Sequence, residues 1–206
     1  MNPRTLKPVV QGPAGLLQCA LDEPGDLPSR GLALLCHPHP LHGGTMDNKV
    51  VQTLARAFVQ LGWRALRFNF RGVAPSEGAW DHGVGEIDDA MAVLRALRAP
   101  DEPVALGGFS FGGAVATHVA RRLSEAGQGV KHLVLVGPAV RSFQAADVDP
   151  GCVVIHGEAD DVVPLAAVLD WARPQSLPVT VVPGAGHFFH GQLGLLKQIV
   201  LQQCRA

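Results

Sequence analysis

"PVALGGFSFGGAVATHVARRL", residues 103–123, decides the fold. It opens with a short apolar run, passes through a glycine-rich turn, and continues with apolar residues at helical spacing. That order reads as strand, turn, helix. At its centre stands Gly108-Phe109-Ser110-Phe111-Gly112, a G-x-S-x-G pentapeptide. Between a strand and a helix, this pattern puts the serine on a sharp, strained turn with its hydroxyl presented above a sheet. Gly108 and Gly112 are required there because a Cβ would collide with the neighbouring strand or helix. Ser110 is therefore the candidate nucleophile. The N–H of Phe111, at the helix start, faces the place where an oxyanion would form.

The same alternation runs outward in both directions. Continuous apolar or β-rich runs at 31–37, 63–70, 131–138, 151–157 and 178–184 read as strands. Segments 48–62, 86–98, 165–172 and 191–204 read as helices, and "KPVVQG" with "AGLLQCAL" reads as an antiparallel pair. Strands that are apolar throughout and alternate with helices imply an α/β architecture. The expectation is a mostly parallel central sheet of about seven or eight strands, with helices on both faces. In such sheets the chemistry gathers at the strand carboxyl ends. One domain is expected over residues 1–206.

Two further polar motifs fall at strand ends. A serine hydroxyl needs a base. His187, in "PGAGHFFHG" after the last strand, is the candidate, with His190 as the competitor. The imidazole needs an acid to fix its tautomer. "HGEADDVVP" supplies Asp160, preferred over Asp161 by its spacing from Gly157 and Pro164.

Bulk composition excludes other classes. Net charge is −1, without a basic tract, so no nucleic-acid or anionic membrane surface is expected as partner. No apolar run is long enough to span a membrane, and the N-terminus carries no secretory signal pattern. The four cysteines are scattered, three of them in or beside apolar runs. They read as reduced thiols in a cytoplasmic protein.

Taken together, "HPHPLHGGTMDN", "FNFRGVAPSEG", "GFSFGG", "HGEADDVVP" and "GAGHFF" resemble the α/β-hydrolase superfamily. Within it, the chain is similar to small, lidless bacterial serine hydrolases related to dienelactone hydrolase and short-chain esterases. Dienelactone hydrolase typically uses a cysteine nucleophile, and Ser110 departs from that, so its substrate is not carried over. The resemblance implies a Ser110–Asp160–His187 triad acting on a small ester or thioester through an acyl-enzyme, with no cofactor and no metal. Alternatives are a small peptidase or amidase using the same triad, or an idle binding module. Oligomeric state is left open.

The resemblance also explains the histidine-rich stretch at 37–42. In relatives the loop after that strand supplies the second oxyanion donor. Pro40 lacks an N–H, so His39 or Leu41 is the donor. A zinc site is the competing reading of these histidines, weakened by the lack of a nearby carboxylate or thiolate with ligand geometry. Arg71 is a candidate for an acidic substrate group, against a structural ion pair. Trp80 and Phe188 are candidates for apolar substrate-binding wall. Between the strands at 131–138 and 151–157 lie only residues 139–150, too few for a multi-helix cap. The rim of the resulting open cleft is expected from "PLHGG", "VAPSEGAWDHG" and "FFHG".

Overall fold

The computed structural model describes residues 5–25 and 28–205; residues 1–4, 26–27 and 206 of the expected domain lie outside them. Eight strands form one sheet: β1 (Val9–Gly12), β2 (Gly15–Asp22), β3 (Leu32–Cys36), β4 (Arg64–Phe68), β5 (Val104–Phe109), β6 (Val130–Val136), β7 (Val153–Gly157) and β8 (Val179–Val182). Their order is β1-β2-β4-β3-β5-β6-β7-β8. The first two pairings, β1 with β2 and β2 with β4, are antiparallel, and every other pairing is parallel. The helices are α1 (Lys49–Gln60), α2 (Val84–Leu97), α3 (Phe111–Glu125), α4 (Leu165–Ala172) and α5 (Leu193–Gln203). None is long and apolar enough to cross a membrane.

Two helix layers follow from the strand period of two. In β5, Val104 and Leu106 join the core that holds Val93 of α2, Val115 of α3 and Val168 of α4. Ala105 and Phe109 alternate to the other face, against Val51 and Phe58 of α1 and Val200 of α5. Both faces are therefore apolar, which is why the strand sequences run apolar without interruption. All four cysteines are free and buried.

Local signals set the helix starts. Asn48 caps α1, its Oδ1 accepting from Val50 N–H at 2.9 Å. α2 begins at Val84, two residues before the expected Glu86. The Glu86 carboxylate reaches back to the N–H groups of Gly83 and Asp81, at 2.8 and 2.9 Å, and so organises the turn ahead of it. No helix or strand lies among residues 137–152. The connection where a cap would be inserted is a plain loop.

The β5–α3 turn is tightly packed. A Cβ on Gly108 would stand 2.1 Å from Gly112 O, and one on Gly112 would stand 2.3 Å from Cys36 O. The opposing atoms are backbone and cannot swing aside. Gly112→Ala is therefore expected to destabilise the fold by about 1–3 kcal/mol through overpacking. Urea unfolding should show a lower midpoint at unchanged slope; an unshifted midpoint would show that β3 and α3 are free to separate.

Candidate active site

Ser110 has φ 56° and ψ −118°. This conformation is costly for a residue with a Cβ, at about 1–3 kcal/mol. Backbone hydrogen bonds hold it: Ser110 N–H donates to Val136 O at 3.0 Å, and Ala139 N–H donates to Ser110 O at 3.1 Å. Ser110 occupies the N-cap position of α3, where serine hydroxyls ordinarily bond the first helical amides. Its side chain makes no such bond. The twisted backbone turns the hydroxyl towards a cleft instead, and the amide of Phe111, first residue of α3, has no carbonyl in a preceding turn.

His187 follows β8 and Asp160 follows β7. His187 Nδ1 donates to Asp160 Oδ2 at 2.7 Å, and both side chains are buried. With Nδ1 carrying the proton, Nε2 is left as the basic nitrogen. Asp160 Oδ1 accepts from the N–H groups of Val162 and Val163, at 3.0 and 2.8 Å. Burial pushes the Asp160 carboxyl up, but the His187 hydrogen bond and these amides outweigh it and hold the group below its ordinary value. Phe109 and Phe188 flank the His187 ring at 4.7 and 5.1 Å. The alternatives Asp161 and His190 are both exposed.

Ser110, His187, His39, Val162 and Phe188 line one cleft of about 260 Å³. That is below the ~300–1,000 Å³ usual for ligand pockets. No direct Ser110–His187 hydrogen bond is formed among the described residues; such contacts often tighten only around substrate.

The histidine stretch is shaped backbone. His37 is wholly buried. Its Nε2 accepts from Phe70 N–H at 3.1 Å and its Nδ1 donates to Pro38 O at 2.6 Å, so the ring ties the end of β3 to the end of β4. Burial pulls its pKa down to about 4 against the opposing Pro38 bond. Among the described residues, no group of three or more His, Cys, Asp or Glu side chains is placed to hold a metal ion.

Several expected residues take other roles. Leu41 N–H donates to His39 Nδ1 at 3.2 Å, and the Leu41 side chain is 66% exposed. Its amide is used inside the 3₁₀ turn Pro40–His42. Arg71 is corrected to a structural residue. Its Nε and Nη2 grip the fully buried Asp89 at 2.9 and 2.7 Å, and its own N–H adds a third bond at 3.0 Å. Nothing of that pairing is offered to a substrate. Phe188 does line the cleft, whereas Trp80 stands behind it, its ring 4.5 Å from His39. The expected rim is also corrected at 73–83. Ser76 and Glu77 bind the backbone of Gln18 and Leu16 and fold this loop onto β2.

Sequence reasoning missed Val162 and Asn48 in the cleft lining, whereas His42 lies in the expected rim stretch "PLHGG". Only their positions just after β7 and β3 could have signalled them. His156 Nε2 donates to Val163 O at 2.9 Å and stands 3.5 Å from Asp160 Oδ2. Burial lowers its pKa, so it backs the carboxylate as a neutral ring and not as an ion-pair partner.

Comparison with known proteins gives a consistent picture. Residues 40–151 match a family model described as the alpha/beta hydrolase fold. The chain is 34% identical over 180 residues to the uncharacterized protein RP471 of Rickettsia prowazekii (strain Madrid E), covering 79% of this chain and 73% of that one. Among solved structures, XC6422 from Xanthomonas campestris, described as a serine hydrolase without lid, superimposes with a TM-score of 0.87 at 37% identity. That match covers 100% of this chain and 95% of the other. An alpha-beta serine hydrolase homologue from Coxiella burnetii gives a TM-score of 0.87 at 39% identity, covering 98% and 97%.

His37 makes a signed pH prediction. Unfolded, it titrates near 6.5; buried, at about 4. A depressed folded value contributes stability that is complete above pH 6.5 and is lost as pH falls through 4. The difference is worth about 3 kcal/mol at this one group. His37→Gln should be less stable than the parent at pH 7 yet lose less between pH 7 and 4, as measured by urea unfolding. Equal losses in both proteins would remove His37 from this role.

Proposed function

We propose that this chain, which belongs to the α/β-hydrolase family, is a serine hydrolase that cleaves a small carboxylic ester or thioester through an acyl-enzyme on Ser110. The observation that carries the proposal is the Asp160–His187 bond of 2.7 Å in the same cleft as a serine held at φ 56°. A strained, uncapped serine beside a carboxylate-oriented imidazole is an arrangement for nucleophilic attack, and it serves no evident packing purpose.

In the proposed reaction, Ser110 Oγ attacks the carbonyl carbon while His187 Nε2 takes the hydroxyl proton. The carbonyl oxygen becomes an oxyanion, met by the amides of Phe111 and His39. His187 returns the proton to the departing alcohol or thiol. Water then attacks the acyl-enzyme with His187 again as base, releasing the acid and restoring Ser110. Asp160, ionised at neutral pH, holds the imidazole in the Nδ1–H tautomer and offsets its charge when it becomes imidazolium. The alternative of a peptidase or amidase draws no specific support from the cleft.

Ser110→Ala is expected to lower kcat/KM for p-nitrophenyl acetate by several orders of magnitude, and to abolish labelling by a fluorophosphonate, with little change in stability. Retention of more than about a tenth of the activity, a barrier change under about 1.4 kcal/mol, would remove Ser110 from the mechanism.

The lidless cleft makes a second forecast. Little of a long acyl chain is covered, and each methylene is worth about 0.8 kcal/mol only if buried. Short soluble esters should therefore match or exceed long ones, without activation at a lipid–water interface. A steep climb in kcat/KM from acetyl to dodecanoyl esters would reveal a pocket or moving cover.

A further inference from the structure

Two polar side chains in the cleft have had their acceptor atoms taken by the backbone. His39 Nδ1 accepts from Leu41 N–H at 3.2 Å. A ring nitrogen that accepts carries no proton, so the proton of His39 resides on Nε2. The faces of this ring are covered, by His42 at 4.3 Å on a stacked plane and by Trp80 at 4.5 Å. His39 lines the cleft, and the ring nitrogen not engaged by Leu41 is Nε2, which bears the proton. Its pKa is lowered by burial and by the neighbouring His42, which keeps it a neutral donor. Asn48 repeats the logic. Its Oδ1 accepts from Val50 N–H at 2.9 Å, which fixes the amide orientation and leaves Nδ2–H₂ to donate.

Both residues line the cleft with Ser110, and neither remaining donor has an acceptor among the described residues. Across the cleft stand Val162 and Phe188, apolar and 56% and 43% exposed. The cleft thus has an apolar side and a side made of hydrogen-bond donors. A purely hydrocarbon substrate would strip water from those donors without replacing it, which is unfavourable.

We infer that the His39 Nε2–H and Asn48 Nδ2–H₂ groups form a recognition site for an acceptor oxygen on the substrate, so that the preferred ester or thioester is oxygenated in the half lying against the β3–α1 loop. The inference rests on the hydrolase reading above. It adds a substrate class, an oxygen-bearing acyl or alcohol group, to a reaction that would otherwise take any short ester.

The test compares isosteric pairs in which an ether oxygen replaces a methylene. For the acyl half the pair is p-nitrophenyl 4-methoxybutanoate and hexanoate; for the alcohol half it is 2-methoxyethyl acetate and butyl acetate. Each kcat/KM is divided by the alkaline hydrolysis rate of the same ester. At least one pair should favour the ether by about fivefold or more. His39→Asn places an amide oxygen where Nδ1 accepts from Leu41 but lacks the Nε2 donor. Asn48→Asp keeps the cap on Val50 and turns the donor into an anionic acceptor. The ether preference should fall to about one in His39→Asn and below one in Asn48→Asp. Fluorophosphonate labelling of Ser110 reports that each variant still folds its site.

A parent ratio near one in both pairs overturns the inference. So does a variant that slows both members of a pair equally, since that would place the side chain at the reacting carbonyl. If the parent hydrolyses none of the esters and is not labelled, it is the hydrolase reading that fails. Labelling and turnover without ether preference fail this inference alone.

Discussion

The structure turns on how closely the first turn of α3 lies against the end of β3. Gly112 sits so near the carbonyls of Cys36 and His37 that no side chain fits between. This contact lets β5 reverse into α3 within a single residue, and that residue is Ser110. The same contact sets the distance between Ser110 and the loop that follows β3. Dihedral strain at one serine persists only when its surroundings over-determine it. Here they do: strand hydrogen bonds on one side, a helix start above, and two glycines in contact with backbone.

Histidine chemistry follows from burial more than from sequence neighbourhood. Three buried imidazoles, those of His37, His156 and His187, are each assigned by their hydrogen bonds to a different task. His37 has both nitrogens engaged by backbone and behaves as a rivet between β3 and β4. His156 supports the loop that carries Asp160 by holding Val163 O. His187 is hydrogen-bonded to a carboxylate through Nδ1, and its Nε2 has no hydrogen-bond partner among the described residues. Clustered histidines would otherwise repel one another on protonation. Desolvation keeps His37 and His156 neutral, so a proton arriving at His187 meets no charged neighbour of the same sign from those two rings.

Much of this was legible in the chain because the fold imposes local rules. Apolar runs had to be strands buried on two faces. The glycines around Ser110 had to stand at a close approach, and Asp160 and His187 had to follow strands. What was not legible depends on which atoms pair across long separations. Arg71 sits in a loop between Phe70 and Gly72, and nothing local states that Asp89, on α2, will take the Nε and Nη2 of its guanidinium. Whether Leu41 could donate depended on the rotamer of His39, two residues away. The loop at 73–83 was expected on the rim because it follows a strand. It folds back because Ser76 and Glu77 find the backbone of β2, a contact spanning some sixty residues of chain.

The short connection between β6 and β7 has a kinetic meaning. Enzymes that carry a cap interpose an opening and closing motion, on the microsecond to millisecond scale, between encounter and chemistry. With only a loop across residues 137–152, no such motion stands in the path. Arrival at Ser110 and departure from it reduce to diffusion through open solvent. For the proposed hydrolase, discrimination between molecules is then left to the bound state, because residues 137–152 supply no cap to refuse them entry.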